Sequence, residues 1–219
     1  MKRALLLFVA CALVVAATAG AARDPRLERL ELRPADGRLA TRAAVQPSDL
    51  GAGWNRLRAA TDNQQAPDCP GYRPDFSKFT ITGQASSEFS SQDGGASIVS
   101  RAEVYATNAD ARGDFALATL PPVARCLGIM FRREAAKDLS EFTLRVLSSR
   151  RVAAPRLGER SAAYRIVIEL AKDGTRVKVY VDAVAVLQGR SIGGIFFTGG
   201  FEPVAGQRRV VARMAARLR

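Results

Sequence analysis

The sequence predicts an α+β domain in which helices pack on a single central antiparallel β-sheet, forming a two-layer sandwich. Two patterns indicate this class: segments in which apolar and polar residues alternate, and helical segments inserted between them. Alternation with a period of two is typical of half-buried strands, and adjacent hairpins build antiparallel sheets. Hydrophobic residues make up 47% of the 219-residue chain, which suffices for one substantial core.

The first 21 residues are predicted to be a signal peptide. Met1-Lys2-Arg3 is basic, the following run is uncharged and apolar, and small residues around Ala19 fit the rule for signal peptidase. An uncleaved anchor is the alternative, because the run is just long enough to span a bilayer. A lipid-modified Cys11 is a third. Each alternative exports residues 22–219, so we expect one secreted or envelope-associated, extracytoplasmic domain.

The chain contains no histidine, and its 33 Lys and Arg outnumber 21 Asp and Glu to give a net charge of +12. The absence of histidine excludes Ser-His-Asp and Cys-His catalysis and imidazole metal sites. No catalytic residue, cofactor-binding residue or metal site is therefore predicted, and the protein is expected not to be an enzyme.

Two cysteines remain after export, Cys69 and Cys126. In an oxidising compartment the simplest expectation is that they form a disulfide. The alternative is two free thiols or one reactive thiol. Residues 58–74, rich in Asn, Gln, Asp, Pro and Gly, are predicted to form a long surface loop that this disulfide would anchor.

The first half of the domain combines helices and strands. A helix is predicted over residues 36–45, followed by a turn at 48–51 and an extended segment from Trp54. Strands are expected at 79–90 and 97–106, with Asp93-Gly94-Gly95 turning between them. Asn108 is predicted to cap a helix over 109–120, and a second helix follows Pro121-Pro122 and runs through residue 131.

The last third alternates more clearly than the rest. Strands are predicted over residues 142–151, 164–170, 177–185 and 191–198. Lys172-Asp173-Gly174-Thr175 is typical of a hairpin turn. A final amphipathic helix is predicted over 203–218, with Val204, Val211, Met214 and Leu218 facing inward.

One motif suggests catalysis but lacks the required context. Residues 189–193 match the Gly-x-Ser-x-Gly pattern of serine hydrolases, which needs a sharp strand-to-helix turn and a base. Ser191 instead begins a predicted strand, and no histidine exists, so we expect it to be inert. Likewise Gly51-Ala52-Gly53 lacks the third glycine of a dinucleotide loop and is interpreted as a tight turn.

Carboxylates could support acid–base catalysis without histidine. Most of the candidates lie on predicted polar faces or in turns, where a solvated role is expected. They are Glu88, Asp93, Glu103, Glu134, Glu141, Glu159, Glu169 and Asp182. A pair of buried carboxylates would favour an enzyme.

The C-terminal helix carries a stripe of arginines, Arg208, Arg209, Arg213 and Arg217. It is a candidate anion-contact surface for envelope components, and the alternative is the solvated face of an amphipathic helix. Because Val204, Val211, Met214 and Leu218 recur at helical spacing, we expect the helix to serve mainly as a lid on the sheet.

The order of several short motifs resembles the extracytoplasmic sensor domains of actinobacterial PknH-type kinases and related secreted proteins. The motifs are residues 49–54, Asp68-Cys69-Pro70 and Arg125-Cys126-Leu127, followed by closing hairpins and a C-terminal helix. The resemblance implies a two-layer α+β domain with a disulfide and a ligand-binding groove. This chain has one cysteine pair and no kinase, so neither kinase coupling nor any binding residue is carried over.

The expected function is therefore that of a non-enzymatic, extracytoplasmic ligand-binding or sensor-like domain. The alternative is a structural protein that binds anionic envelope components through its basic surface. The partner is expected to be a small molecule or an envelope component and not a nucleic acid. Membrane contact is expected only through an uncleaved N-terminal segment, and the sequence leaves the oligomeric state open.

Overall fold

The computed structural model describes residues 24–57, 69–200 and 205–219. The predicted signal peptide with Cys11, most of the predicted loop at 58–74, and Val204 lie outside the described residues. The α+β class is confirmed: one sheet of eight strands carries helices packed against it.

The strands follow the alternating segments closely. They are β1 (Arg29–Leu30), β2 (Trp54–Leu57), β3 (Thr80–Ser91), β4 (Ala96–Tyr105), β5 (Thr143–Val152), β6 (Arg160–Lys172), β7 (Thr175–Gln188) and β8 (Ser191–Gly199). Their order is β1-β3-β4-β8-β7-β6-β5, and β2 also pairs with β3. The named strands pair antiparallel except for β1, which runs parallel to β3, so the sheet is mixed.

The described residues contain the helices α1 (Pro34–Ala43), α2 (Pro47–Leu50), α3 (Asn108–Ala118), α4 (Pro122–Asp138) and α5 (Ala205–Ala216). Thr107, and not Asn108, caps α3, because its side chain accepts a hydrogen bond from the Asp110 amide at 3.0 Å.

Within the described ranges no single helix is long and apolar enough to cross a membrane. Only the bent pair of α3 with the first part of α4 (Pro122–Arg133), at 74°, meets that length and composition.

Helices cover both faces of the sheet, whereas a two-layer sandwich would have them on one face only. On one face, α1 and α5 pack on inward residues such as Ile98 of β4 and Ile195 of β8. On the other face, α3 and α4 pack on Tyr105, Tyr164 and Leu187. Strand residues alternate between the faces, which is why both can be apolar.

The predicted disulfide is present. Cys69 and Cys126 are joined across a Cα–Cα distance of 5.4 Å, and both are 3% exposed. The bridge ties the chain just after residue 68 to α4. Tyr72 and Phe76 are buried beside it, so the end of the predicted surface loop belongs to the core.

An ion pair connects the first turn of α1 to the turn between β7 and β8. The Arg190 guanidinium, in the turn between β7 and β8, donates to both oxygens of Asp36 in the first turn of α1. Thr82 of β3 donates a further hydrogen bond of 2.6 Å to the same carboxylate. The pKa of Asp36 lies below its usual value, chiefly because of the hydrogen bond from Arg190.

Candidate ligand-binding groove

A groove of about 330 Å³ lies at one end of the sheet, between α2, the start of β4, the end of β8 and the start of α5. Its floor is apolar: Ile98 and Phe197 are buried, and Leu50, Trp54 and Val210 complete the walls. Its volume is at the lower end of the range of small-molecule sites, which are mostly apolar with a few polar groups.

The rim of the groove contains few bulky side chains. Gly95, Gly199, Gly200 and Gly206 line it, and a Cβ atom built on Gly200 meets nothing within 4 Å. The sequence pattern could not reveal this groove, because its walls come from segments about 150 residues apart that only the fold brings together. The one local signal was Trp54, an aromatic residue after a glycine turn.

Two charged side chains line the groove, and they differ in their partners. Asp49 is held by Arg217, the residue directly after α5, whose guanidinium reaches its two oxygens at 2.9 and 2.6 Å. Burial raises the pKa of Asp49, but hydrogen bonds from Arg217 and the Gln46 amide outweigh it and lower the pKa. Arg209 is exposed and has no ion-pair partner among the described residues. The groove therefore presents an apolar floor with one available cation.

The predicted anion-contact stripe is divided by the structure. Arg213 donates to the carbonyl oxygens of Ser48 and Asp49, and Arg217 binds the Asp49 carboxylate. These two arginines attach the C-terminal end of α5 to α2, although Arg213 is still exposed to solvent. Arg208 and Arg209 are exposed and make no such contact with α2. Val211, Met214 and Leu218 are buried, as the lid interpretation requires.

Ser191 is in the wrong environment for a nucleophile. It is 2% exposed at the first position of β8, where it pairs with Val104 of β4 and Gln188 of β7. A serine hydrolase needs its nucleophile exposed on a strand-to-helix turn. The match to the Gly-x-Ser-x-Gly pattern is therefore coincidental.

Two of the candidate carboxylates are structural rather than solvated. Asp182 of β7 is buried and accepts two hydrogen bonds from Arg165 of β6, at 2.7 and 2.8 Å. Glu103 of β4 forms an ion pair with Arg101 at 2.6 Å. The expectation of solvated roles is wrong for both residues.

Glu103 also belongs to a buried acidic cluster that the sequence did not reveal. The Tyr105 hydroxyl lies 3.0 Å from Glu103 and 2.6 Å from Asp114 of α3. Asp114 is in turn hydrogen-bonded to Glu28, in the segment before β1. Asp114 is 5% exposed, and its only sequence signal was a position on the same helix face as Ala111 and Phe115.

The environment of the cluster raises the pKa of its central carboxyl, Asp114. Burial raises the pKa of Asp114 well above its usual value, and the neighbouring charges of Glu103 and Glu28 raise it further. Burial likewise raises the pKa of Glu28. Burial of Asp114 and Tyr105 leaves little access for a substrate, so the cluster favours a structural role.

We expect Asp114→Asn to stabilise the protein at neutral pH by roughly 1 kcal/mol. A carboxyl whose pKa is higher in the folded protein than in the unfolded chain makes its full contribution to stability at pH values below the unfolded pKa, near 4. That contribution is lost as the pH rises through the pKa of the folded protein. Asparagine keeps a donor and an acceptor without the charge, so the variant should lack this loss. Urea unfolding at pH 4.5 and 7.5 measures it, with Glu88→Gln on β3 as control. Equal pH dependence in Asp114→Asn and wild type would contradict the assignment.

No group of three Asp, Glu or Cys side chains in the described ranges is arranged to hold a metal ion. The contacts within the acidic cluster are the hydrogen bonds of Tyr105 and Asp114 and the ion pair of Arg101 with Glu103.

Comparison with known proteins identifies the fold. No protein-family model matches the chain, and no curated protein matches it in sequence. The crystal structure of the extracellular domain of PknH from Mycobacterium tuberculosis is similar, with a TM-score of 0.53 at 9% identity, covering 85% of this chain and 97% of that domain. A protein from Mycobacterium smegmatis, the Rv0999 ortholog, gives a TM-score of 0.40 at 10% identity over 78% and 92% of the two chains.

The domain thus has the α+β fold of the PknH extracellular domain, and the resemblance inferred from short motifs is confirmed at that level. At 9% identity the likeness establishes the fold and not the ligand.

Proposed function

We propose that this chain is an extracytoplasmic, sensor-like domain that binds a small amphiphilic molecule and catalyses no reaction. The observation that carries the proposal is the groove, whose apolar floor is bordered by the exposed cation of Arg209. An apolar body would lie on Ile98 and Phe197, and an anionic or polar group would contact Arg209. Small-molecule sites are typically lined by apolar side chains, and a few polar groups fix the orientation of the ligand.

Three observations support a location outside the cytoplasm. The Cys69–Cys126 disulfide fits an oxidising compartment. The fold is shared with a domain that is extracellular in its own protein. The basic N-terminus and apolar run of the sequence agree with export.

Ligand binding in the groove can be followed by intrinsic fluorescence, because Trp54 is the single tryptophan of the chain and lies in the groove wall. We expect anilinonaphthalene sulfonate, which joins apolar rings to an anion, to change the Trp54 emission in a saturable manner. Gly200→Leu should block the groove and weaken binding at least tenfold. Gly194→Leu is the matched control, because that position on β8 is outside the groove and also has open space for a side chain.

Arg209→Gln should weaken binding of the anionic probe by several-fold and leave an uncharged naphthalene probe unaffected. Native mass spectrometry of protein purified from its own envelope should then reveal a co-purifying molecule that Gly200→Leu lacks. Equal binding by the Gly200→Leu and Gly194→Leu variants would contradict the groove as the site.

A further inference from the structure

We propose a second site, separate from the apolar groove: a basic cleft between α4 and β5 that binds an extended polyanion carrying repeated phosphate groups. The cleft has a volume of about 550 Å³ and lies on the sheet face that α3 and α4 cover. Its side chains include Arg125, Arg132 and Arg133 from α4 and Ser148 and Ser149 from β5. No Asp or Glu is among the described residues that line it.

The helix places its charges in a line. Arg125 and Arg132 are seven residues apart, which is about two turns, so they share one face and stand about 10 Å apart along the axis. Both are exposed, and neither has an ion-pair partner among the described residues. A single small anion cannot contact both guanidinium groups at that distance. A chain with repeated anionic groups can.

The floor of the cleft is built to hold the helix close to the strand. Gly128 of α4 faces Ser149, and a Cβ at position 128 would lie 3.0 Å from the Ser149 Cβ. The Ser149 hydroxyl donates to the Ala124 carbonyl oxygen of α4. At Val146 and Ser148 the register of β5 shifts, leaving Leu147 exposed on the edge strand. The cleft is therefore a fixed depression and not a flat basic surface.

The disulfide defines the remaining wall. Pro70 lines the cleft directly after Cys69, which is bonded to Cys126 beside Arg125. Guanidinium groups bind phosphate oxygens in a planar, two-pronged manner, and the Ser148 hydroxyl can add a hydrogen bond. The cleft thus has better geometry for a polyanion than α5, where Arg213 and Arg217 are bound to α2.

The test measures binding of fluorescent polyphosphate of about 20 units to the full chain at 20 and 150 mM salt. We expect Arg125→Gln/Arg132→Gln to weaken binding at least tenfold at low salt. The matched control, Arg38→Gln/Arg42→Gln, makes the same charge change on two exposed arginines of α1, which packs on the other face of the sheet, and should weaken it less than threefold. Added salt should weaken wild-type binding more than that of the cleft variant, because fewer ion pairs remain to be screened.

Three outcomes would overturn the proposal. The first is an equal loss in both double variants, which would mean that net charge alone attracts the polymer. The second is inorganic phosphate competing as well as the polymer at equal phosphate concentration. The third is tighter binding to phosphatidylglycerol vesicles than to polyphosphate, with the same dependence on Arg125 and Arg132, which would assign the cleft to lipid headgroups. Unchanged thermal unfolding of the variants confirms that a loss of binding is not a loss of folding.

Discussion

Removing the Cys69–Cys126 disulfide is expected to lower the free energy of unfolding by about 4 kcal/mol on the chain-entropy model. The bridge spans 57 residues, so it strongly restricts the unfolded chain. The variant is Cys69→Ala/Cys126→Ala, because alanine leaves no unpaired hydroxyl at two buried positions. Urea unfolding followed by Trp54 fluorescence gives the free energy.

The single variants provide the control for this prediction. Either substitution alone removes the whole bridge, so the double variant should cost little more than each single one. Additive costs would mean that the two cysteines act independently. Alkylation offers a second check: unreduced, exported protein should show neither thiol, and both should react after reduction.

Arg217→Gln is expected to lower the free energy of unfolding by about 2–3 kcal/mol, because it leaves the Asp49 carboxylate buried without its ion-pair partner. The Asp49 side chain is 3% exposed and that of Arg217 is 29% exposed, so solvent weakens the pair only in part. Arg208→Gln, on an exposed position of α5, is the matched control and should change stability by less than about 0.5 kcal/mol.

The pH dependence of stability separates the ion pair from simple packing. The pKa of Asp49 is lowered on folding, so its contribution is present above the unfolded value near 4 and is lost as pH falls through the folded value. Arg217→Gln should therefore lose more stability at pH 7 than at pH 3. Equal losses for the Arg217 and Arg208 variants at both pH values would show that the pair is not a determinant of stability.

Strands and helices were predictable from the sequence because burial leaves a local periodicity. The observed bounds of β4, β5 and β8 lie within a residue or two of the alternating segments. The hairpin between β6 and β7 was equally local, since Asp173 and Gly174 both adopt positive φ, as a two-residue turn requires. Charged residues were less predictable. Arg217 has the spacing of a solvated residue, and its partner is 168 positions away.

The candidate sites were unpredictable for the same reason. The apolar groove draws on four separate segments, and Asp114 becomes buried only when Glu28 and Tyr105 meet it. The basic cleft depends on a strand that follows α4 directly and on how closely Gly128 lets the two approach. Local patterns specify which residues face inward, but they do not specify which distant segments share an edge.

The pairing of β4 with β8 constrains the order in which the chain can fold. The β3–β4 hairpin and the β5–β8 meander can each form from neighbouring segments, but Ala96 pairs with Gly199 and Val104 with Ser191. Asp36 meets Arg190 across 154 positions. A chain that emerges N-terminus first therefore waits for its last strand before the sheet can close, and such non-local closure is slow. Until β8 arrives, the edge of β4 that it will cover is open to pairing with other chains, so the interval before the C-terminal segment emerges is when aggregation competes with folding.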